Sequence, residues 1–105
     1  MRLVVTGGRH YPFYDEVDRV LSALSPTYVA AGCASGADAH ALSWAAKRLP
    51  RDHWQMFEAD WNKGKSAGPK RNREMLDTFK PDLVVAFPGH SGTEDCCRAA
   101  DERMI

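Results

Sequence analysis

The stretch DLVVAFPGHSGTED, residues 82–95, decides the fold of this chain. Its first half is a short run of apolar and branched residues, which is typical of a strand. Its second half places two glycines, a proline, a serine and a threonine within six positions, ahead of a helix. A strand that passes through a glycine-rich turn into a helix is the repeating unit of α/β proteins. Such a turn is either a tight connection or a place where an anionic group approaches the backbone.

Three more strand–helix units precede this one. Their strands are predicted at RLVVT (2–6) and TYVAA (27–31), which are short apolar runs, and at the more mixed HWQMFEA (53–59). The four helices are predicted from apolar residues at helical spacing: Val17, Val20, Leu21 and Leu24; Leu42, Ala45, Ala46 and Leu49; Met75, Leu76 and Phe79; Cys97, Ala100 and Met104. This alternation predicts a single α/β domain, residues 1–105, with a parallel sheet covered by helices on both faces.

The overall composition narrows the class of protein. Of 105 residues, 14 are Lys or Arg and 14 are Asp or Glu, so no global charge attracts nucleic acid or an anionic membrane. No apolar run is long enough for a membrane helix, and Met1 leads directly into a strand pattern rather than a targeting segment. Three cysteines do not make a disulfide framework, which favours the cytoplasm. No spacing typical of a zinc site occurs, so we expect neither a metal nor a cofactor.

The unusual residues follow the strands, at the edge of the sheet where α/β proteins bind ligands. Glycines in TGGRHY, after the first strand, are expected to expose backbone amides, and the arginine suits a phosphate or carboxylate. AGCASGAD, after the second strand, runs into a helix start, whose amides attract anions. Each loop alone is explained equally well by a tight turn, but three on one edge favour a ligand site. The candidate ligand-binding residues of these loops are Gly7, Gly8, Arg9, Tyr11, Gly32, Ser35, Gly36, Asp38, Pro88, Gly89, His90, Ser91, Gly92 and Thr93.

Three polar residues near the helix starts are further candidates. Asp38 either stabilises the start of the second helix or holds a ribose hydroxyl or base edge, and the two roles are compatible. Arg71 and Asn72 follow Gly68 and Pro69, which fix the start of the third helix. They are candidates to supply a cation and a bidentate amide to a bound nucleotide.

The remaining charged and aromatic residues near these loops have simpler explanations. Arg73 is expected on a solvated face of the third helix. Trp44, Trp54 and Trp61 are expected to be packing residues. Tyr11 and Trp61 lie in the candidate loops, so stacking on a base is an alternative role for both, and it is favoured more for Tyr11.

Read together, VTGGRHY, GCASGADAHALSWA, ADW…AGPKRNREM and VVAFPGHSGTEDCCRAA resemble the SLOG superfamily, the Rossmann-like domains grouped around the Smf/DprA and LOG proteins. The likeness is strongest to the small YspA-related branch, often found in bacteria and their phages, and it covers nearly the whole chain in order. The resemblance implies a Rossmann-like three-layer sandwich with a mostly parallel sheet of four or five strands. It also implies a domain that binds nucleotides or nucleotide-derived molecules at its glycine loops.

The resemblance also separates enzymes from binding modules. LOG-type enzymes cleave the N-glycosidic bond of nucleoside monophosphates and carry the motifs R-K-x-x-M and P-G-G-x-G-T-x-x-E. Arg71 and Met75 match the first motif, with Asn72 in place of the lysine, so Arg71 is the catalytic candidate if the chain is an enzyme. In the second motif His90 replaces a glycine and Cys96 stands at the glutamate position. A neutral thiol does not stabilise the positive charge that develops on the sugar.

Relatives of this fold usually place another strand after the last helix, whereas this chain ends at RMI. The sheet edge is therefore left short, covered by a second subunit of a homo-oligomer, or finished by those few residues.

Three functions follow from these observations. The favoured one is a module that senses or sequesters a nucleotide or a signalling derivative resembling ADP-ribose. The alternative is a LOG-like phosphoribohydrolase, against which Cys96 weighs. The third is single-stranded DNA binding, by analogy with the DprA branch, against which the zero net charge weighs.

Overall fold

The computed structural model describes residues 1–105, along which strands and helices alternate. The strands are β1 (Arg2–Thr6), β2 (Tyr28–Gly32), β3 (Trp54–Phe57) and β4 (Leu83–Ala86). The helices are α1 (Tyr14–Leu24), α2 (Ala37–Arg48), α3 (Ala67–Phe79) and α4 (Ser91–Glu102). Short 3-10 segments, Arg51–His53 and Trp61–Ser66, lie on either side of β3. The predicted order of strands and helices is confirmed.

All four strands are parallel and lie in the order β3-β2-β1-β4. Val4 of β1 is paired with Ala30 of β2 on one side and with Val84 of β4 on the other, so β1 is central. The chain moves outward from β1 to β3 and then returns across the sheet to β4. Because such crossovers are right-handed, this reversal places α3 on the face opposite α1 and α2. The predicted α/β class is therefore confirmed, with four parallel strands between two helical layers.

Two apolar clusters, one on each face of the sheet, form the core. Leu3 and Val5 of β1 belong to the first cluster, together with buried residues of α1 and α2. Val4 belongs to the second cluster, together with buried residues of α3 and α4. Alternate residues of β1 enter the two clusters because successive side chains of a strand point to opposite faces. A strand buried on both faces explains why RLVVT has no polar residue between its apolar ones.

The buried face of α2 differs in part from the predicted one. Leu42 and Ala45 are buried as expected, whereas Ala46 is exposed. Ala41 and Trp44 occupy the buried face instead, with the Trp44 indole N–H donating to the Ser22 hydroxyl (3.1 Å). The small alanines of α2 allow several apolar stripes, and contact with α1 selects among them.

The end of the chain also departs from the prediction. Cys96 rather than Cys97 is fully buried in α4, and Met104 is 95% exposed. The backbone turns back after α4, where the Ile105 amide donates to the Ala100 carbonyl (3.0 Å), so Ile105 packs against the second cluster in place of Met104. No fifth strand forms, and β4 remains an edge strand of the sheet. None of the helices combines the length and apolar character needed to cross a membrane.

Candidate functional site

The loops after β1, β2 and β4 meet at the carboxyl edge of the sheet. The Gly8 amide donates to the Pro88 carbonyl (3.0 Å), and the Gly8 carbonyl accepts from the Ala37 amide (3.3 Å). The Ser35 hydroxyl donates to the Arg9 carbonyl (3.1 Å). These hydrogen bonds join three segments that are far apart in the sequence. They meet beside β1 and β4, where the strand order reverses and where open α/β sheets bind their ligands.

The contact between the first two loops requires glycine at position 36. Gly36 has a φ of 78°, and a Cβ on it would lie 2.6 Å from the carbonyl carbon of Arg9. Any larger residue would be strained in its own backbone and would also meet backbone atoms that cannot move aside. The loops after β1 and β2 therefore pack against each other more tightly than the sequence suggested.

This close packing corrects one sequence-based expectation. The amides of Gly8 and Ala37 are engaged by carbonyl groups of the neighbouring loops, so they are not available to an anion. Adjacent strands bring their following loops within hydrogen-bonding distance, and the loops satisfy one another. Gly8 and Gly36 thus serve the contact between these loops.

The start of α4 keeps its backbone donors available. No side chain caps this helix, and the amides of Ser91, Gly92 and Thr93 donate to no backbone carbonyl. Ser91 and Gly92 are exposed, and a Cβ on Gly92 would meet no atom within 4 Å. An uncapped helix start carries about half a positive charge, so it attracts an anion. Of the three glycine-rich loops, the one after β4 is best suited to a phosphate or carboxylate.

Two charged side chains meet above the end of β2. A Cβ on Gly32 would lie 2.8 Å from Cζ of Arg71 and 2.9 Å from Oδ2 of Asp38. The guanidinium and the carboxylate therefore share the space that the absent Gly32 side chain leaves. Asp38 reaches it from the first turn of α2, and Arg71 reaches it from the first half of α3.

Hydrogen bonds within the protein hold Arg71 in place. Its Nη1 donates to the Phe57 carbonyl (3.1 Å), and its Nε donates to Oδ1 of Asn72 (2.9 Å). Asn72 is 3% exposed and donates through Nδ2 to the Gly92 carbonyl (3.2 Å) and to Oδ2 of Asp95 (3.1 Å). The Asn72 amide is thus engaged inside the protein, although the sequence suggested it for the ligand. It connects the Arg71 side chain to the start of α4.

Arg73 also differs from its prediction as a solvated charge. It forms an ion pair with Asp95 (3.1 Å) and donates to the Pro69 carbonyl (3.1 Å). Asp95 therefore accepts hydrogen bonds from Asn72 and Arg73 and fastens α4 to α3. The sequence analysis did not identify this structural role of Asp95, because no local sequence motif indicates it.

Asp38 is a buried carboxyl group with an unused oxygen. The residue is 4% exposed, and its Oδ1 has no hydrogen-bond partner. Burial raises the pKa of Asp38 to about 7, although the Arg71 charge and the Ala34 backbone act to lower it. Buried polar atoms are nearly always paired, so an orphaned carboxyl oxygen requires an explanation. A perturbed pKa beside a specific cation at a sheet edge marks Asp38 as a functional candidate.

Cys96 belongs to the same cluster. It is fully buried, and burial raises the pKa of its thiol to about 11, while a hydrogen bond with Thr6 acts to lower it. The charges of Arg71 and Asp38 also influence this thiol, which places all three groups near one another. Cys96 is therefore a neutral thiol at physiological pH. Thr6, at the end of β1, is a member of the cluster that sequence reasoning missed.

Two of the predicted ligand residues lie apart from this cluster. Tyr11 packs against Phe87 (ring centroids 5.3 Å apart) and borders the first apolar cluster, on the face opposite α3. The residue is partly buried, and its role in binding a ligand stays a prediction. His90 is exposed immediately before α4, where its imidazole is close in sequence to the uncapped amides.

No group of three or more His, Cys, Asp or Glu side chains is arranged to hold a metal ion. Comparison of the chain with protein-family models, with curated proteins and with solved structures finds no match. The residues themselves must therefore carry the functional argument.

Proposed function

We propose that this protein binds a nucleotide or a nucleotide-derived small molecule at the carboxyl edge of its sheet, as a sensor, sequestering or signalling module. The observation that carries the proposal is the buried Asp38 carboxyl group, whose Oδ1 lacks a partner, beside the Arg71 guanidinium where three loops meet. A ribose hydroxyl or an amino group of a base is a donor that would suit this carboxylate.

The anionic part of such a ligand has a separate place to bind. The amides of Ser91, Gly92 and Thr93, which donate to no backbone carbonyl, suit a phosphate, and the Arg71 guanidinium adds a cation. Asn72 joins these two elements through its hydrogen bonds to Arg71 and to the Gly92 carbonyl. A ligand with a negative group and a hydroxyl-bearing group would therefore contact both sides of one site. The three cysteines form no disulfide, which supports placing the protein in a reducing compartment such as the cytoplasm.

Ligand-dependent thermal stabilisation tests this proposal. A ligand at one hundred times its Kd should add about 2.7 kcal/mol to the free energy of unfolding. We expect Gly92→Val and Arg71→Ala to lose this stabilisation while remaining folded, since Gly92 borders open space. Arg19→Ala is the matched control, because Arg19 is an exposed α1 arginine paired only with Glu16. If no nucleotide, sugar phosphate or ADP-ribose stabilises the wild-type protein, the proposal is wrong.

A second candidate function is hydrolysis of an N-glycosidic bond. The specific observation in its favour is that the Asp38 carboxyl group lies near enough to Cys96 to influence its pKa. The Asp38 carboxyl group of α2 therefore acts electrostatically on the position where the sequence resemblance would place a glutamate on α4. Such a group could stabilise the positive charge that develops on the sugar as the base departs. Release of free base from nucleoside monophosphates, lost in Asp38→Asn, would support this candidate over simple binding.

A further inference from the structure

Trp61 is an unusually exposed tryptophan seated on a glycine of α3. It is 58% exposed at the start of the Trp61–Ser66 segment, which Asp60 caps by accepting from the Asn62 amide (3.2 Å). A Cβ on Gly68 would lie 3.4 Å from Cη2 of Trp61, so the absence of a side chain there makes room for the ring. The indole is thus supported by the protein on one side and open to solvent elsewhere.

The other tryptophans and Tyr11 are less exposed than Trp61, and each has a partner. Trp44 is 5% exposed, and the guanidinium of Arg51 lies 4.0 Å from the ring of Trp54. Tyr11 contacts two phenylalanine rings. Trp61 has neither an aromatic nor a cationic partner among the described ring contacts. Of the two aromatic residues that the sequence suggested for stacking on a base, Tyr11 and Trp61, the structure leaves Trp61 the more exposed.

Trp61 lies close to the site through α3. Gly68, which the indole contacts, is three residues before Arg71 and four before Asn72, so all three share one face of the helix. Four residues of helix rise about 6 Å, and Asn72 in turn contacts the Gly92 carbonyl at the start of α4. The indole contact at Gly68 and the link from Asn72 to the start of α4 therefore lie about one helical turn apart on α3.

The surrounding charge also favours an anionic partner with an aromatic ring. Residues 61–73 contain five Lys or Arg residues and no Asp or Glu, in a chain whose net charge is zero. Lys63, Lys65 and Lys70 are exposed, and none of them takes part in an ion pair. Stacking on an indole and attraction to lysines are properties that a nucleobase joined to a phosphate combines.

We propose that Trp61 is the platform on which the base of the bound ligand stacks, with Gly68 seating the indole and Arg71 facing the ribose phosphate. This inference rests on the proposed nucleotide-binding function and deepens it, because it requires the ligand to carry an aromatic base. A sugar phosphate without a base would contact only Arg71 and the amides at the start of α4.

Binding measurements by calorimetry separate the base from the sugar phosphate. The probes are AMP, GMP, CMP, UMP and ADP-ribose, with ribose 5-phosphate as the probe that lacks a base. We expect Trp61→Ala to weaken the tightest base-bearing probe about tenfold and Trp61→Phe to keep its affinity within about threefold. Ribose 5-phosphate should bind Trp61→Ala as it binds the wild type. Phe13→Ala is the aromatic control, because Phe13 is 65% exposed but lies before α1.

The outcomes distinguish this inference from the function on which it rests. If base-bearing probes bind the wild type and Trp61→Ala equally, Trp61 is not the stacking platform, although the proposed nucleotide binding is still supported. Equal weakening of AMP and ribose 5-phosphate would also overturn it, since Trp61 would then act on the phosphate or on the fold. Binding of a short oligothymidylate, with no response to any mononucleotide, would overturn it in favour of single-stranded DNA. If no probe binds the wild type, the proposed nucleotide-binding function is wrong, and the role inferred for Trp61 is wrong with it.

Discussion

The Arg71 guanidinium and the Asp38 carboxylate lie within 3 Å of the same point in space, the position of a Cβ that Gly32 lacks. One group comes from α3 and the other from α2, so the two helical layers meet there at the edge of the sheet. The cation only partly offsets the burial of the carboxyl group, whose pKa remains near 7. The buried carboxyl group therefore lowers the stability of the protein without a ligand. A ligand that donates a hydrogen bond to Asp38 would offset this loss.

The first prediction concerns the pH dependence of stability. Asp38 has a folded pKa of about 7, above its ordinary value of 3.8, so the protonated native state is favoured and stability is lost as pH rises through 7. The loss is roughly 1.4 kcal/mol for each pH unit between the two values. In Asp38→Asn this dependence should vanish. Urea unfolding should therefore show the variant gaining about 2.7 kcal/mol on the wild type between pH 5 and pH 8, nearly all of it below pH 7.

Asp38→Glu serves as the control for this prediction, because it keeps a titrating carboxyl group while changing its position. Parallel stability profiles of the wild type and Asp38→Asn across this pH range would contradict the burial of an ionising group at this position.

The second prediction separates two glycines by what surrounds them. A methyl group on Gly32 meets the ends of the Arg71 and Asp38 side chains rather than backbone atoms, so Gly32→Ala should displace them at a cost of about 1 to 2 kcal/mol of stability. Gly36→Ala places its methyl against the Arg9 backbone at a φ of 78°, and should cost about 2 kcal/mol or more. Ligand stabilisation should fall in Gly32→Ala even though its fold is nearly intact. Denaturant unfolding and a nucleotide thermal shift measure both effects, and a stable Gly36→Ala would count against the described loop contact.

The third prediction tests the connection between α3 and α4. Asn72→Asp keeps the shape of the side chain but removes the donors to the Gly92 carbonyl and to Asp95. It should cost about 2 to 3 kcal/mol, because a buried anion then faces two acceptors. Adding Asp95→Asn restores a donor and should recover most of the loss. The loss of the half-exposed Arg73 ion pair in that double variant should matter little.

A double-mutant cycle by urea unfolding measures this coupling, and additive effects of the two substitutions would show that Asn72 and Asp95 act independently.

The fourth prediction concerns the three thiols. Cys33 is exposed, whereas Cys96 is fully buried with a thiol pKa raised to about 11 by burial. A thiol reagent at pH 7.5 should therefore label Cys33 first and Cys96 last, and all three thiols only after unfolding. Cys33→Ser should remove the fast phase. Labelling of native Cys96 at the rate of Cys33 would show that the cluster beneath Arg71 opens readily.

The fold could be predicted from the sequence because the patterns that specify its strands and helices are local. Each strand is a short apolar run closed by glycine or a polar loop, and the run at residues 2–6 matches β1 without error. Where several apolar stripes were available, as on α4, the spacing alone did not decide between Cys96 and Cys97. Packing against α3 and the reversal of the backbone at Ile105 decide it, and neither is encoded in helical periodicity.

The site could be predicted from the sequence only in part, because it depends on contacts between segments that are distant along the chain. Glycine motifs mark where backbones approach closely, but not whether the partner is a ligand or another loop, so Gly8 and Gly92 looked alike in the sequence. The proximity of Asp38 to Cys96 and the coupling of Asn72 to Asp95 depend on how two layers meet across the sheet. Exposure separates Trp61 from Tyr11, and exposure is a property of the finished tertiary structure.

The crossover from β3 to β4 has a consequence for the order in which the protein matures. Asp38 and Gly32 emerge early in the chain, yet Arg71 and the α4 amides arrive only when its second half has docked onto the opposite face of the sheet. A small molecule held by both halves would bind only the fully folded domain. Its binding would shift the equilibrium from partly folded forms toward the native state. Its cellular concentration would then help to set how much mature protein accumulates.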